Sequence, residues 1–173
     1  MEQPENHNTG VNQDTAGIAL EKALRFIEYR PRSSREVEER LRRWGYAPSI
    51  RGSVVSHLES CGILDDREFA RVFMGEMLRK GYGQQRIFNS LLAKRIDREL
   101  VDTVMLDYPH DDELERATKL AGAYASRFSG VESAAAIKKI VGYLTRRGYA
   151  NGIAFEAARM TRSVDTQISP ELE

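Results

Sequence analysis

A chain of 173 residues and 19.6 kDa holds one domain of ordinary size or a short array of repeated units, which excludes a large multidomain enzyme. Its 26 basic and 26 acidic residues cancel, so the total charge declares no preference for nucleic acid or for an acidic membrane. Apolar residues at 41%, charged residues at 30% and only five prolines suit a surface-rich helical protein better than a thick sandwich. The single cysteine, Cys61, excludes an internal disulfide and reads as a small buried filler. No apolar run is long enough to span a bilayer, and the polar, acidic start lacks the pattern of a secretory signal. A soluble, cytoplasmic protein with no membrane partner is expected. Residues 1–15 and 163–173 carry little to bury and are expected to be disordered tails.

The first predicted helix starts at Ala16, with Leu20, Ala23, Leu24 and Ile27 at helical spacing, and stops before Arg30-Pro31. Ser33 stands three residues before Glu36, the spacing of a capping box. The second helix follows it, burying Val37, Leu41 and Trp44 and ending at Gly45. A third, from Pro48 to Ser60, carries Ile50, Val54, Val55 and Leu58. The spacing of Asp65 and Glu68 repeats the cap, and Phe69, Val72, Phe73 and Met77 form the next apolar face. Five further helices are marked by Ile87 with Leu91, Leu100 with Val104, Leu114 with Leu120, Ile137 with Leu144, and Ile153 with Ala157. No strand-like alternation competes, so the fold is read as all-α.

The pattern repeats. Val37, Leu41, Tyr46, Ile50 and Val54 align with Ile87, Leu91, Ile96, Leu100 and Val104, and these with Ile140, Leu144, Tyr149, Ile153 and Ala157. The divisions expected are residues 16–64, 65–109 and 110–162, three tandem three-helix repeats that each need a neighbour to complete a core. Divided this way, the charge is no longer even. Residues 30–51 hold seven basic and three acidic residues, 79–98 six and one, and 138–159 five and one, while 99–115 holds seven acidic residues and neither Lys nor Arg. Each repeat therefore carries a basic middle helix. Arg30, Arg32, Arg35, Arg42 and Arg43 supply it in the first; Arg79, Lys80, Arg86, Lys94 and Arg95 in the second; Lys138, Lys139, Arg146 and Arg147 in the third. Equivalent positions of a solenoid share a face, so these residues suit a long anionic partner, a phosphate backbone or an acidic protein groove. Ordinary solvated faces, with cations near helix C-termini, remain the alternative.

Chemistry-bearing motifs are sparse. His7, His57 and His110 have no ligand spacing to Cys61. Asp65-Asp66 and Asp111-Asp112-Glu113 precede amphipathic helices and read as caps rather than magnesium ligands. Gly81-Tyr82-Gly83-Gln84 lacks the Gly-Lys-Ser/Thr ending of a phosphate loop and reads as a turn. Tyr46, Tyr82 and Tyr149 suit either base stacking or covering the neighbouring core. No metal, cofactor or catalytic residue is expected.

The run Gly62-Ile63-Leu64-Asp65-Asp66 with Phe69-Ala70, then Leu78-Arg79-Lys80-Gly81-Tyr82-Gly83 with Arg86-Ile87 and Leu91, and later Leu144-Thr145-Arg146-Arg147-Gly148-Tyr149, resembles the RecX family of bacterial recombination regulators. Arg30-Pro31-Arg32-Ser33 with Glu36-Val37 and Leu41 is similar to that family's first repeat. The resemblance implies an elongated, curved array of three repeats, acting as a monomer on the RecA recombinase and the RecA–ssDNA filament, with direct DNA contact open. It implies modulation, mostly inhibition, of strand exchange, ATP hydrolysis and co-protease activity, and no catalytic residue transfers. A sequence-independent DNA-binding helical protein without a dedicated protein partner is the alternative. One departure stands out: where the family has Lys-Gly, this chain has Lys94-Arg95, which forces Arg95 into a left-handed turn or changes the turn.

Overall fold

The computed structural model describes residues 8–128 and 133–167. They form nine α-helices and two short 3-10 turns, with no strand among the described residues. The helices are α1 (Asn8–Glu28), α2 (Ser34–Arg43), α3 (Pro48–Ser60), α4 (Asp66–Arg79), α5 (Gln84–Ala93), α6 (Arg98–Val104), α7 (Glu113–Ala125), α8 (Ser133–Arg146) and α9 (Asn151–Gln167). The protein is an all-α array of three-helix units with three separate cores. Leu41, Leu58 and Val37 centre the first; Ile87, Leu91 and Val101 the second; Leu144, Ile140 and Ala154 the third. Emptying one of these leucine sites would cost roughly 2–5 kcal/mol.

Both ends depart from the expected tails. α1 begins at Asn8 rather than Ala16, and α9 continues to Gln167. Neither extension contains a proline, and lengthening a helix already nucleated by packing costs little. The outer tail residues, 1–7 and 168–173, lie outside the described residues. Cys61 is also corrected: as the C-cap of α3 it is exposed rather than buried.

Each middle helix ends in the same turn. Tyr46, Ile96 and Tyr149 donate their amides back to Leu41, Leu91 and Leu144, at 3.2, 3.4 and 3.2 Å. This closure needs a left-handed residue beforehand, supplied by Gly45 (φ 86°), Arg95 (φ 63°) and Gly148 (φ 92°). Arg95 thus keeps the shared turn at a cost on the order of 1 kcal/mol, because its Cβ crowds the backbone there.

The units are joined by one device used twice. At the first junction the Ser33 hydroxyl donates to the Lys94 carbonyl at 3.0 Å, and the Asp66 carboxylate accepts the Ser34 amide at 2.7 Å. At the second, Gly83 at the corresponding place donates its amide to the Arg147 carbonyl at 2.9 Å, and the Glu113 carboxylate accepts the Gln84 amide at 3.5 Å. In both, the loop entering a middle helix rests on the turn that ends the next unit's middle helix. A carboxylate at the start of the next unit caps the helix so formed, supplying an acceptor to otherwise orphaned amides.

Candidate functional site

The basic residues singled out from the sequence lie on α2, α5 and α8, at the last position of α4 (Arg79), and in the turns flanking the middle helices. Helical periodicity turns their apolar neighbours inward, so most of the cations face outward. Arg43, Arg79, Arg86, Arg95, Lys138, Lys139 and Arg146 are exposed. Of these, Arg43, Arg79, Arg86, Arg95, Lys138 and Arg146 make no ion pair among the described residues. Arg35 pairs with Glu38, Arg42 with Glu39 at 3.4 Å, Lys80 with Glu76 at 3.8 Å and Arg30 with Glu36 at 3.4 Å. Such exposed pairs are weak and exchange readily for a stronger anion.

Three of the fourteen are turned inward. Lys94 is half-buried and holds the Glu36 carboxylate at 2.8 Å across the first junction. Burial alone would raise the Glu36 carboxyl, but the Lys94 ammonium, the Ser33 amide and Arg30 outweigh it and set Glu36 below its ordinary value. Arg147 donates to the Lys80 carbonyl at 2.5 Å across the second junction, its guanidinium 5.1 Å from the Tyr82 ring and 5.2 Å from Tyr143. Arg32 stacks on Phe26 at 3.9 Å, and its buried Nε has no hydrogen-bond partner. Burial and the neighbouring Arg30 push that guanidinium below its ordinary value.

The structure brings several cations together. Arg30, Arg32 and Arg43 line one groove of about 270 Å³. Arg43, Lys94 and Arg95 line the next, of about 580 Å³, between the first and second units. Arg43 is common to both, as are Glu36 and Glu39, so the strip across that junction sets its cations beside two carboxylates. Arg40, which the sequence reading passed over, shares the first groove and lies 5.0 Å from the Trp44 ring; its place one turn before Trp44 on α2 was the available signal.

Asp65, Asp66 and Glu113 are structural, but the cap expected at the start of α7 is absent: Asp112 stands at its N-cap without a side-chain hydrogen bond to it. Asp65 caps α4 by accepting the Arg67 and Glu68 amides at 2.9 and 3.0 Å. Asp66, raised by burial, caps α2 across the junction. Glu113 is buried, accepting the Tyr108 hydroxyl at 2.9 Å. Of the three tyrosines, Tyr149 is buried and reaches the Gly81 carbonyl at 3.4 Å, while Tyr46 and Tyr82 are half-buried with Lys22 and Arg147 over their rings. No cluster of three or more His, Cys, Asp or Glu side chains is placed to hold a metal among the described residues, and no described helix is long and apolar enough to cross a membrane.

Residues 19–58 match the family model for the first three-helix domain of RecX, and residues 65–105 the model for its second. The chain is 30% identical over 149 residues to the regulatory protein RecX of Bacillus licheniformis, covering 86% of this chain and 57% of that protein. With the regulatory protein RecX of Listeria innocua it shares 29% over 146 residues, covering 84% and 54%. The chain thus spans little more than half the length of these relatives. Against the regulatory protein RecX of Mycolicibacterium smegmatis the identity is 28% over 138 residues, covering 77% and 73%. The crystal structure of RecX from Lactobacillus salivarius superposes with a TM-score of 0.78 at 21% identity, over 87% of this chain and 99% of that one.

Proposed function

The chain belongs to the RecX family, and on that premise we propose that it is a non-enzymatic regulator that binds RecA and the RecA–DNA filament through its basic face. The observation that carries this reading is the match of both the first and the second three-helix domains. The exposed, unpaired Arg43, Arg79, Arg86, Arg95, Lys138 and Arg146 supply the anion-binding character. Cations held on rigid helices lose little entropy when an acidic surface or phosphate docks on them.

The paired junctions suggest how binding becomes regulation. Each unit is fixed to the next by hydrogen bonds to main-chain carbonyls and by a carboxylate helix cap, so the array acts as a stiff bracket. A bracket that fits one filament state better than another shifts the filament toward that state, and it opposes the movements of ATP turnover by that difference in affinity. Inhibition of ATP hydrolysis and strand exchange is the expected direction. Repeat boundaries at 16–64, 65–109 and 110–162, a monomeric protein and a cytoplasmic location complete the proposal.

The test is a binding comparison. Fluorescently labelled protein is titrated with RecA–ssDNA filaments and with the same ssDNA alone at one salt concentration. Tighter binding to the filament is expected. Equal binding to bare ssDNA would replace this reading with that of a sequence-independent DNA-binding protein.

A further inference from the structure

The first helices of the three units correspond residue by residue. Ala23, Ala70 and Ala117 hold one fully buried position, which sets Lys22, Arg25 and Phe26 of α1, and Tyr29 just after it, against Phe69, Val72, Phe73 and Glu76 of α4. In the second unit this strip is one wall of a groove of about 300 Å³, and the other wall is Arg30 and Pro31, from the loop entering α2 of the unit before. In the third unit, Leu120 of α7 takes the place of Phe26 and Phe73. A Cβ on Gly81 would come within 2.8 Å of Leu120, so the loop entering α5 rests on the same strip. In two of the three units a loop of the preceding unit therefore lies along the strip, across a narrow groove in the second and against Leu120 in the third.

Among the described residues no loop of a preceding unit lies against the strip of the first unit. Lys22, Arg25, Phe26 and Tyr29, with Trp44, Arg32 and Arg40, line an open groove of about 490 Å³ walled by α1, α2 and their connection. Trp44 here stands where Lys94 and Arg147 clasp the preceding loop in the other two units. We propose that this groove is a docking site for an acidic loop of a partner protein, seated as the chain's own loops are seated on the second and third units. This inference does not depend on the partner being RecA.

Charge selects the occupant. Four cations and no carboxylate line the groove among the described residues. The loops that enter α2 and α5 carry Arg30 with Arg32 and Arg79 with Lys80, so neither offers this groove the carboxylates that its four cations lack. The cations are poised on aromatic rings: Arg32 on Phe26, Arg40 5.0 Å and Lys22 5.9 Å from Trp44. Arg25 also meets Glu21 at 2.6 Å, an exposed pair. Phe26 and Trp44, edge to face at 6.1 Å, with Tyr29 89% exposed, form a floor for the apolar residues of a loop.

Trp44 is the only tryptophan in the chain, so its fluorescence reads the groove directly. The full chain is titrated with a blocked synthetic acidic peptide, Gly-Glu-Asp-Phe-Asp-Glu-Pro, whose sequence is not found in this chain, with the same peptide bearing Asn and Gln for its acids, and with a thymidine oligonucleotide. A saturable shift of Trp44 emission by the acidic peptide is expected, weakened at least about tenfold by neutralising the acids. Arg32→Glu with Arg40→Glu abolishes it; Lys22→Glu with Arg25→Glu, at exposed sites that leave the fold intact by circular dichroism, does the same. No shift at millimolar peptide, or an unchanged shift in folded Lys22→Glu/Arg25→Glu, overturns the proposal. So does tighter binding by the oligonucleotide, which would make the groove a nucleic-acid site, or a Trp44 shift that follows self-association, which would assign it to a second copy.

Discussion

Replacing Gly83 with alanine strikes the second junction and little else. Gly83 has φ −83° and ψ 170°, a conformation alanine adopts freely, so no backbone strain enters. The added Cβ, however, would stand 2.6 Å from the carbonyl carbon and oxygen of Gly148 and from the Tyr149 nitrogen, about 1 Å inside ordinary contact. The neighbours are backbone and cannot rotate aside, so the two loops must part. That strains or breaks the Gly83-to-Arg147 and Gln85-to-Gly148 bonds, at 2.9 and 3.1 Å. Two backbone bonds at about 1 kcal/mol each, with an overpacking cost of about 1 kcal/mol or more, place the loss near 3 kcal/mol. Because a repeat array is held by nearest-neighbour terms, the loss falls on the coupling between the second and third units. Urea unfolding followed by far-UV circular dichroism should show an earlier and broader transition, with a lower apparent m-value as the third unit melts by itself. Gly52→Ala on α3, whose Cβ would meet nothing within 4 Å, is the control, and should stabilise by up to about 1 kcal/mol. A Gly83→Ala transition that overlays the wild type would refute the junction as drawn.

Other substitutions probe separate parts of the same architecture. Arg95→Gly relieves the left-handed arginine and should raise stability by about 0.5–1 kcal/mol, or a few degrees in melting temperature; a fall would show that the Arg95 side chain contributes more than its backbone costs. Ser33→Ala removes both the capping box and the hydroxyl bond to the Lys94 carbonyl, an expected loss of about 2 kcal/mol by denaturant titration. Glu36 has a lowered carboxyl pKa in the folded chain, so its contribution is full above its ordinary value of 4.5 and is lost as pH falls through the folded value. Glu36→Gln should therefore flatten the acid side of the stability–pH curve. An unchanged slope between wild type and variant would remove the Lys94–Glu36 bridge from the stability of the first junction.

What the residues disclosed in advance was local. The cap at Ser33 and Glu36 lies within one helical turn, and the stops at Gly45 and Gly148 follow from one backbone conformation, so sequence spacing alone finds them. The left-handed Arg95 was one of two geometries foreseen. What stayed hidden was contact between units. Asp66 reads as part of its own helix start, yet its carboxylate caps α2, a partner remote in sequence. Lys94 and Arg147 match their basic neighbours in type, and only the packing shows them clasping the preceding unit. Trp44 has the periodicity of a core residue on α2, and half-buried it also lines an open groove. Aligning the first helices through Ala23, Ala70 and Ala117 would have exposed that groove's position, because the apolar Phe69 and Val72 give way to Lys22 and Arg25 there.

The basic face is tested most directly by titrating this protein into a RecA ATPase reaction on ssDNA at low and at high salt, alongside a triple variant of Arg86→Glu, Lys138→Glu and Arg146→Glu. All three sites are exposed, so helical content should be unchanged. Wild-type protein should slow ATP hydrolysis at low salt and lose that effect as salt rises, as expected of binding that displaces counterions or satisfies exposed cations. The variant should leave hydrolysis untouched at both. Full inhibition by the variant, or wild-type inhibition that ignores salt, would contradict a basic docking face.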